Sequence, residues 1–237
     1  MYALIDFRAS EASLSALKDC GYTPILMPPA PYLDGAIASH TDMLLFIGFG
    51  RLFCHAKYFE SNNELIDSII SASGLELVIS HEETGNKYPT DVLFNACLVN
   101  NKLICNKKSV SKLILNSAEN ENYEIINTPQ GYTKCSICPV SDNAVITSDR
   151  SIAAACEGAG IDVLLIGEGD ISLPPYDFGF IGGTAGMHAD KVFFCGSVDT
   201  HRDALKIYEF CAKHGKTVVS LSSDCLQDIG SIFFIGE

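Results

Sequence analysis

Apolar residues along this chain fall into short runs rather than long helical stripes. Five runs open on a polar residue: Asp42-Met-Leu-Leu-Phe-Ile47, Asp91-Val-Leu-Phe-Asn-Ala96, Lys134-Cys-Ser-Ile-Cys-Pro139, Asp177-Phe-Gly-Phe-Ile181 and Asp228-Ile-Gly-Ser-Ile-Phe233. Their starts lie 43 to 51 residues apart, which signals a structural repeat. After a polar or Gly-rich turn comes a second apolar run: Arg51–Cys54, Lys102–Cys105, Ala144–Thr147 and Lys191–Cys195. Alternation is loose, so these read as strands buried on both faces. A helix follows. Ser61-Asn-Asn-Glu64 reads as a capping box, and Thr200-His-Arg-Asp203 as the same device with Asp in place of Glu. Third strands are predicted at Leu75–Ile79, Tyr123–Ile126, Ile161–Ile166 and Thr217–Leu221.

The fifth unit is split between the ends of the chain. Gly230–Gly236 supplies its first strand; Tyr2–Arg8, Ser10–Lys18 and Tyr22–Leu26 supply the second strand, the helix and the third strand. Joining the ends removes two exposed sheet edges. The expected architecture is therefore an α/β protein, a five-unit β/α propeller closed circularly by its N- and C-terminal strands. A doubly wound sheet would alternate one strand with one helix, which this order does not. One domain over residues 1–237 is expected.

Composition adds limits. Apolar residues make up 47% and charged residues 19% of 237, enough for a sizeable core. The net charge of -13 and the absence of a basic run disfavour nucleic acid or an anionic membrane as partner. There is no apolar run of transmembrane length. The first residues show no basic leader, so no signal peptide is expected. The ten cysteines then read as reduced thiols of a cytoplasmic protein.

Two stretches carry a family resemblance. Ser136-Ile-Cys-Pro-Val-Ser-Asp-Asn-Ala-Val-Ile-Thr147 followed by Arg150, and Gly182-Gly183 followed by Lys191-Val-Phe-Phe-Cys-Gly196, resemble two repeats of dimethylargininase. The chain thus resembles the pentein superfamily of guanidino-group-modifying enzymes. Gln130-Gly-Tyr, Gly179-Phe-Ile-Gly-Gly183 and Asp228-Ile-Gly-Ser231 are similar to an uncharacterised bacterial family assigned to that fold. The resemblance implies a circular permutation and a central site in which a Cys thiolate attacks a guanidinium carbon, a His moves protons and carboxylates hold the cation. Carried over by position, Cys97 lies near the nucleophile, one residue out of register. Cys135 stands at a clamping acid, Thr184 at another acid, and no His lies on Ile229–Ile235.

Other residues are candidates in their own right. Asp42, Asp91, Asp177 and Asp228 are equivalent under the repeat, with Lys134 in the fifth place. They read either as a collar around a central pocket for a cation, or as separate solvated caps. His40-Thr-Asp42 has the His-x-acid spacing of pentein sites, and residues two apart on a strand share a face. His40 and Asp42 are thus the expected acid/base pair, with Cys135 or Cys97 as thiol. Asp91, Asn95, Asp177, Asp228 and Ser231 are expected at the ligand. Cys135 and Cys138 have opposite strand parity and no second pair, so neither a disulfide nor a metal is expected of them, and no cofactor is expected. The leading reading is a small-molecule protein for a cationic guanidino or amine compound, with efficient turnover of arginine, agmatine or methylated arginine not expected. The alternatives are a Cys-dependent hydrolase or amidinotransferase and a non-catalytic interaction module.

Overall fold

The computed structural model describes residues 1–236. Five three-stranded sheets share one topology. In the first, Leu45–Gly48 runs antiparallel to Arg51–His55, which pairs in parallel with Glu76–Ser80. The second and third sheets repeat this with Cys97–Val99, Lys102–Cys105 and Glu124–Asn127, then Cys138–Ser141, Ala144–Thr147 and Asp162–Leu165. The fourth uses Ala185–His188, Lys191–Phe194 and Thr217–Ser220.

The fifth joins the two ends of the chain. Tyr2–Asp6 lies in its centre, antiparallel to Phe233–Ile235 and parallel to Thr23–Met27. A small parallel pair, Ile171–Ser172 with Leu226–Gln227, is added beside these.

In every sheet the middle strand is the most buried, as expected of a strand paired on both edges and covered on both faces. Helices make the parallel crossovers and bury one face each: Leu17, Ile66 with Ile69, Ile114, Ile152 with Cys156, and Ile207 with Cys211. Burying each large aliphatic side chain contributes about 1.5–3 kcal/mol.

Caps fall at Ser10, Ser111 and Asp149, whose side chains accept from N–H groups of the first turn. The two expected capping boxes do not form. Ser61 ends a preceding helix, Ala56–Ser61, and its hydroxyl donates to the Lys57 carbonyl, while Thr200 donates to Ser197. The helices that follow start at Asn63 and Ala204 without a side-chain cap.

The first strand of every unit begins later than expected, at Leu45, Cys97, Cys138, Ala185 and Phe233. Of the polar residues expected to start strands, Asp42 and Lys134 lie instead on single helical turns, Thr41–Leu44 and Thr133–Ser136, and a 3-10 turn, Gly182–Thr184, comes just before Ala185. The reason is hydrogen bonding. A turn leaves its first N–H groups free, and Asn95 Oδ1 accepts two of them, from Lys134 (2.7 Å) and Cys135 (3.1 Å). A strand would have committed those groups to its ladder.

Candidate functional site

These turns bring buried polar side chains together. Asp42 comes from the first turn, Cys135 and Lys134 from Thr133–Ser136, Asn95 from the loop before Cys97, and Ser231 from just before Phe233. The Cys135 Sγ lies 3.2 Å from both Asp42 carboxylate oxygens and donates to them. Asn95 Nδ2 is 3.1 Å from the same sulfur. Ser231 Oγ donates to Asp42 Oδ2 at 2.6 Å and accepts from Lys134 Nζ at 2.8 Å. Ser231 thereby links a buried ammonium to a buried carboxylate.

His40 sits beside this cluster and is fully buried. One ring nitrogen of His40, a carboxylate oxygen of Asp42 and the Cys135 sulfur all lie within 4.8 Å of one another. Two more carboxylates flank the ring: Asp228 Oδ1 is 3.8 Å from Nδ1, and Asp6 Oδ2 is 4.0 Å from Nε2. Yet neither ring nitrogen has a hydrogen-bond partner among the described residues. Asp6 is held by the Arg8 guanidinium at 2.6 Å, and Asp228 accepts from the backbone N–H groups of Phe180 and Gly230.

Room for Asp228 comes from Gly183, where any Cβ would overlap its carboxylate. Gly182 likewise packs on backbone oxygens of Lys134 and Ile137. These glycines serve close approach rather than a phosphate-cradling loop.

A cavity of about 310 Å³ opens onto this cluster. His40, Cys135 and Asp228 line it, and Tyr132, Tyr176, Phe178 and Phe180 form aromatic walls. Asp177 lines the same cavity from an exposed position, and among the described residues no Lys or Arg does.

Burial, then the carboxylates of Asp42 and Asp228, pushes the Cys135 thiol well above its ordinary value. Burial also raises Asp228, and Asp42 adds to this, while His40 and the two backbone N–H groups oppose it. Cys135 in the resting protein is therefore a neutral thiol and a hydrogen-bond donor.

The remaining candidates lie elsewhere. Asp91 is turned aside, its carboxylate accepting from the Tyr132 hydroxyl at 2.6 Å. It buttresses an aromatic wall and does not line the cavity. The four aspartates thus form no single collar: Asp42 and Asp228 flank His40, Asp177 lies at the surface and Asp91 behind Tyr132.

Cys97 lines a second cavity of about 240 Å³ with Phe46, Phe233, Phe234 and Lys134. Burial pushes its thiol up to about 11. The Thr133–Ser136 turn puts Cys135 on one cavity and Lys134 on the other, so Cys97 and His40 do not share a cavity. The Thr184 hydroxyl donates to the Ile181 carbonyl.

Cys138 starts a strand, fully buried, and all ten cysteines are free. His188, which also stands two residues before an acid, Asp190, hydrogen-bonds with the Tyr22 hydroxyl far along the chain.

Sequence reasoning passed over Asp6, Tyr132 and Phe180. A charged residue inside the apolar run Tyr2–Phe7 was the available signal for Asp6. Tyr132 and Phe180 stand in the Gln130-Gly-Tyr and Gly179-Phe-Ile-Gly-Gly183 stretches that carry the family resemblance, which was the available signal for them.

The sequence matches the model of a family described as being of unknown function, DUF6873, over residues 4–233. None of the curated proteins matches it. Solved structures resemble it at low identity. DDAH from Pseudomonas aeruginosa, a cysteine mutant complexed with citrulline, superposes with a TM-score of 0.60 at 8% identity, covering 94% of this chain and 92% of that one. SxtG, an amidinotransferase from Microseira wollei, gives 0.58 at 8% identity over 94% and 77%. The agmatine deiminase of C. jejuni gives 0.55 at 7% identity over 93% and 87%. Such identities establish a shared fold and no more. The chain therefore belongs to the DUF6873 family, and its fold is that of the penteins.

Proposed function

We propose that the protein binds a small organic cation, an amine or a guanidinium compound, in the cavity lined by His40, Cys135, Asp177 and Asp228. One observation carries this: among the described residues, a cavity with aromatic walls and carboxylates has no Lys or Arg on its lining. Aromatic faces attract a cation, and the attraction grows where water is excluded. The carboxylates around His40 add to it. Asp6, Asp42 and Asp228 are buried there, against Arg8 and Lys134 as bonded cations. A cationic ligand would offset the excess negative charge.

We place this cavity on the axis of a closed five-unit ring. Ala185–His188 packs against both Cys138–Ser141 and Phe233–Ile235, which supports neighbouring sheets meeting through their first strands. Ten free thiols fit a reducing, cytoplasmic setting.

The test is a thermal-shift screen of agmatine, arginine and simple diamines against carboxylic acids of matched size. Ligand at about 100 times its Kd stabilises by about 2.7 kcal/mol. A cation should raise the melting temperature, and the effect should be lost in Asp228→Asn. Stabilisation by acids alone would sink the proposal.

A second reading rests on the Cys135, His40 and Asp42 cluster. A bound guanidinium would favour the Cys135 thiolate by its charge. His40 would take the thiol proton, the sulfur would bond to the guanidinium carbon, an amine would leave with that proton from His40, and water, giving its protons to His40 and the thiolate, would release a ureido product and restore the thiol. Ureido product formed by the wild type and by Cys97→Ser, but not by Cys135→Ser or His40→Gln, would favour this reading. No product from any guanidino compound would leave the binding function alone.

A further inference from the structure

The floor of the cavity carries a second kind of chemistry, independent of the organic cation proposed above. We infer that His40, Asp42 and Cys135 form a site for a thiophilic divalent metal ion, of which zinc is the type. A thiolate, an imidazole and a carboxylate are the donors such an ion takes, and they suit magnesium or calcium poorly.

Three features point the same way. First, the donor atoms lie within 4.8 Å of one another, and the sulfur and the carboxylate are already 3.2 Å apart. Tetrahedral zinc, with bonds of about 2.0–2.3 Å, sets its ligand atoms about 3.6 Å apart. The His40 nitrogen, at most 4.8 Å from the other two donors, has to approach by about 1 Å to reach that spacing.

Second, His40 is buried with both ring nitrogens unpartnered among the described residues. Leaving a buried polar group unsatisfied is costly, and native proteins rarely do it. A metal on one nitrogen would satisfy it and set the tautomer, with the other N–H turned to Asp6 or Asp228, each within 4.0 Å of the ring. Carboxylate–histidine–metal arrangements of this kind orient the ligand and raise its basicity.

Third, the other two ligands also have outer partners. Asn95 holds the Cys135 sulfur at 3.1 Å, and Ser231, backed by Lys134, holds Asp42 at 2.6 Å. Cys135 and Asp42 thus each have a neighbour fixing their direction, and His40 would gain one on metallation.

The charge agrees. The thiol gives up its proton to solvent as the ion binds. The dication then offsets the thiolate and Asp42, while Asp228 stays close by. A fourth coordination position would face the cavity, which His40 and Cys135 line. An open position distinguishes a site that meets small molecules from a closed structural one.

The experiment uses the full chain, stripped with a chelator and titrated with zinc chloride by calorimetry and with cobalt(II) by absorption. Expected is one tight equivalent, with a thiolate-to-cobalt charge-transfer band and tetrahedral visible bands. Cys135→Ser should abolish the charge-transfer band. Both Cys135→Ser and His40→Gln should weaken zinc at least about 10-fold, and Cys97→Ser and Cys138→Ala should leave it unchanged. A cooperative thermal melt of each stripped variant shows that it folds; should Cys135→Ser fail to fold, His40→Gln with the wild-type cobalt spectrum decides. No binding by wild type, or binding unaffected in either ligand variant, overturns the inference. The amine screen, run in chelator, fails or succeeds separately: amine binding without zinc binding refutes only the metal site, and the converse refutes only the organic-cation proposal.

Discussion

Replacing Lys134 with methionine tests how far the buried charges hold each other in place. Lys134 Nζ and the Asp42 carboxylate meet through Ser231 Oγ by bonds of 2.8 Å and 2.6 Å. With the charges about 5 Å apart, the attraction is about 3 kcal/mol at an effective dielectric of about 20. Both side chains are buried, so removing one partner also leaves the other charge without compensation, a loss of about 3–5 kcal/mol. Lys134→Met and Asp42→Asn should each destabilise by that order. The double variant removes both charges, so it should fall short of the sum of the singles by about 3 kcal/mol. Equilibrium urea unfolding of the four proteins at one pH measures this. Additivity within about 0.5 kcal/mol, the behaviour of independent sites, would refute the coupling and with it the role assigned to Ser231.

Removing residues 233–237 deletes the strand paired with Tyr2–Asp6 and the buried Ile235; calorimetry should show melting at least about 10 °C lower, and an unchanged melt would disprove the closing role of that pairing. Gly183→Ala forces a methyl into the Asp228 carboxylate and should cost about 1–3 kcal/mol, whereas Gly35→Ala, with open space around it, should be close to neutral in the same urea assay. The Asp228 carboxyl has a raised pKa in the fold, so its contribution to stability is complete below its ordinary 3.8 and is lost as pH rises through the raised value; urea midpoints from pH 3 to 8 should show this loss in the wild type and not in Asp228→Asn. With its thiol held protonated by burial, Cys135 should resist iodoacetamide at pH 7.5 while exposed Cys225 reacts, as peptide mapping would show; equal labelling of the two would contradict the buried-thiol geometry.

Much of the architecture was legible along the chain. Middle strands Lys102–Cys105 and Ala144–Thr147 stand where apolar runs placed them. The two ends share a sheet, because a strand such as Tyr2–Asp6, apolar and buried, requires partners on both edges. Period and polarity are local properties, so these elements could be read without the fold. Strand starts could not. Asp42 and Lys134 looked like polar openings of strands, and Asn95 and Ser231 like positions within them, yet each serves a partner many residues away, as in Asn95 with Lys134 and Ser231 with Asp42. Which polar residue is buried, and against what, depends on distances that only the packed chain sets.

For the site, the sequence by itself determined the residue types and little more: a histidine two before an acid, a cysteine at an acid position, and a surplus of carboxylates. Tertiary structure decided the rest. It set Cys135 beside His40 and Cys97 on a second cavity by putting a single helical turn between the two, sent Asp91 to Tyr132, and turned Asp177 to the surface. It also set the His40 ring between Asp6 and Asp228, with no hydrogen-bond partner among the described residues. Equivalent positions in a repeat share a backbone path, but their side chains meet different neighbours, and it is the neighbours that fix protonation, reach and chemistry.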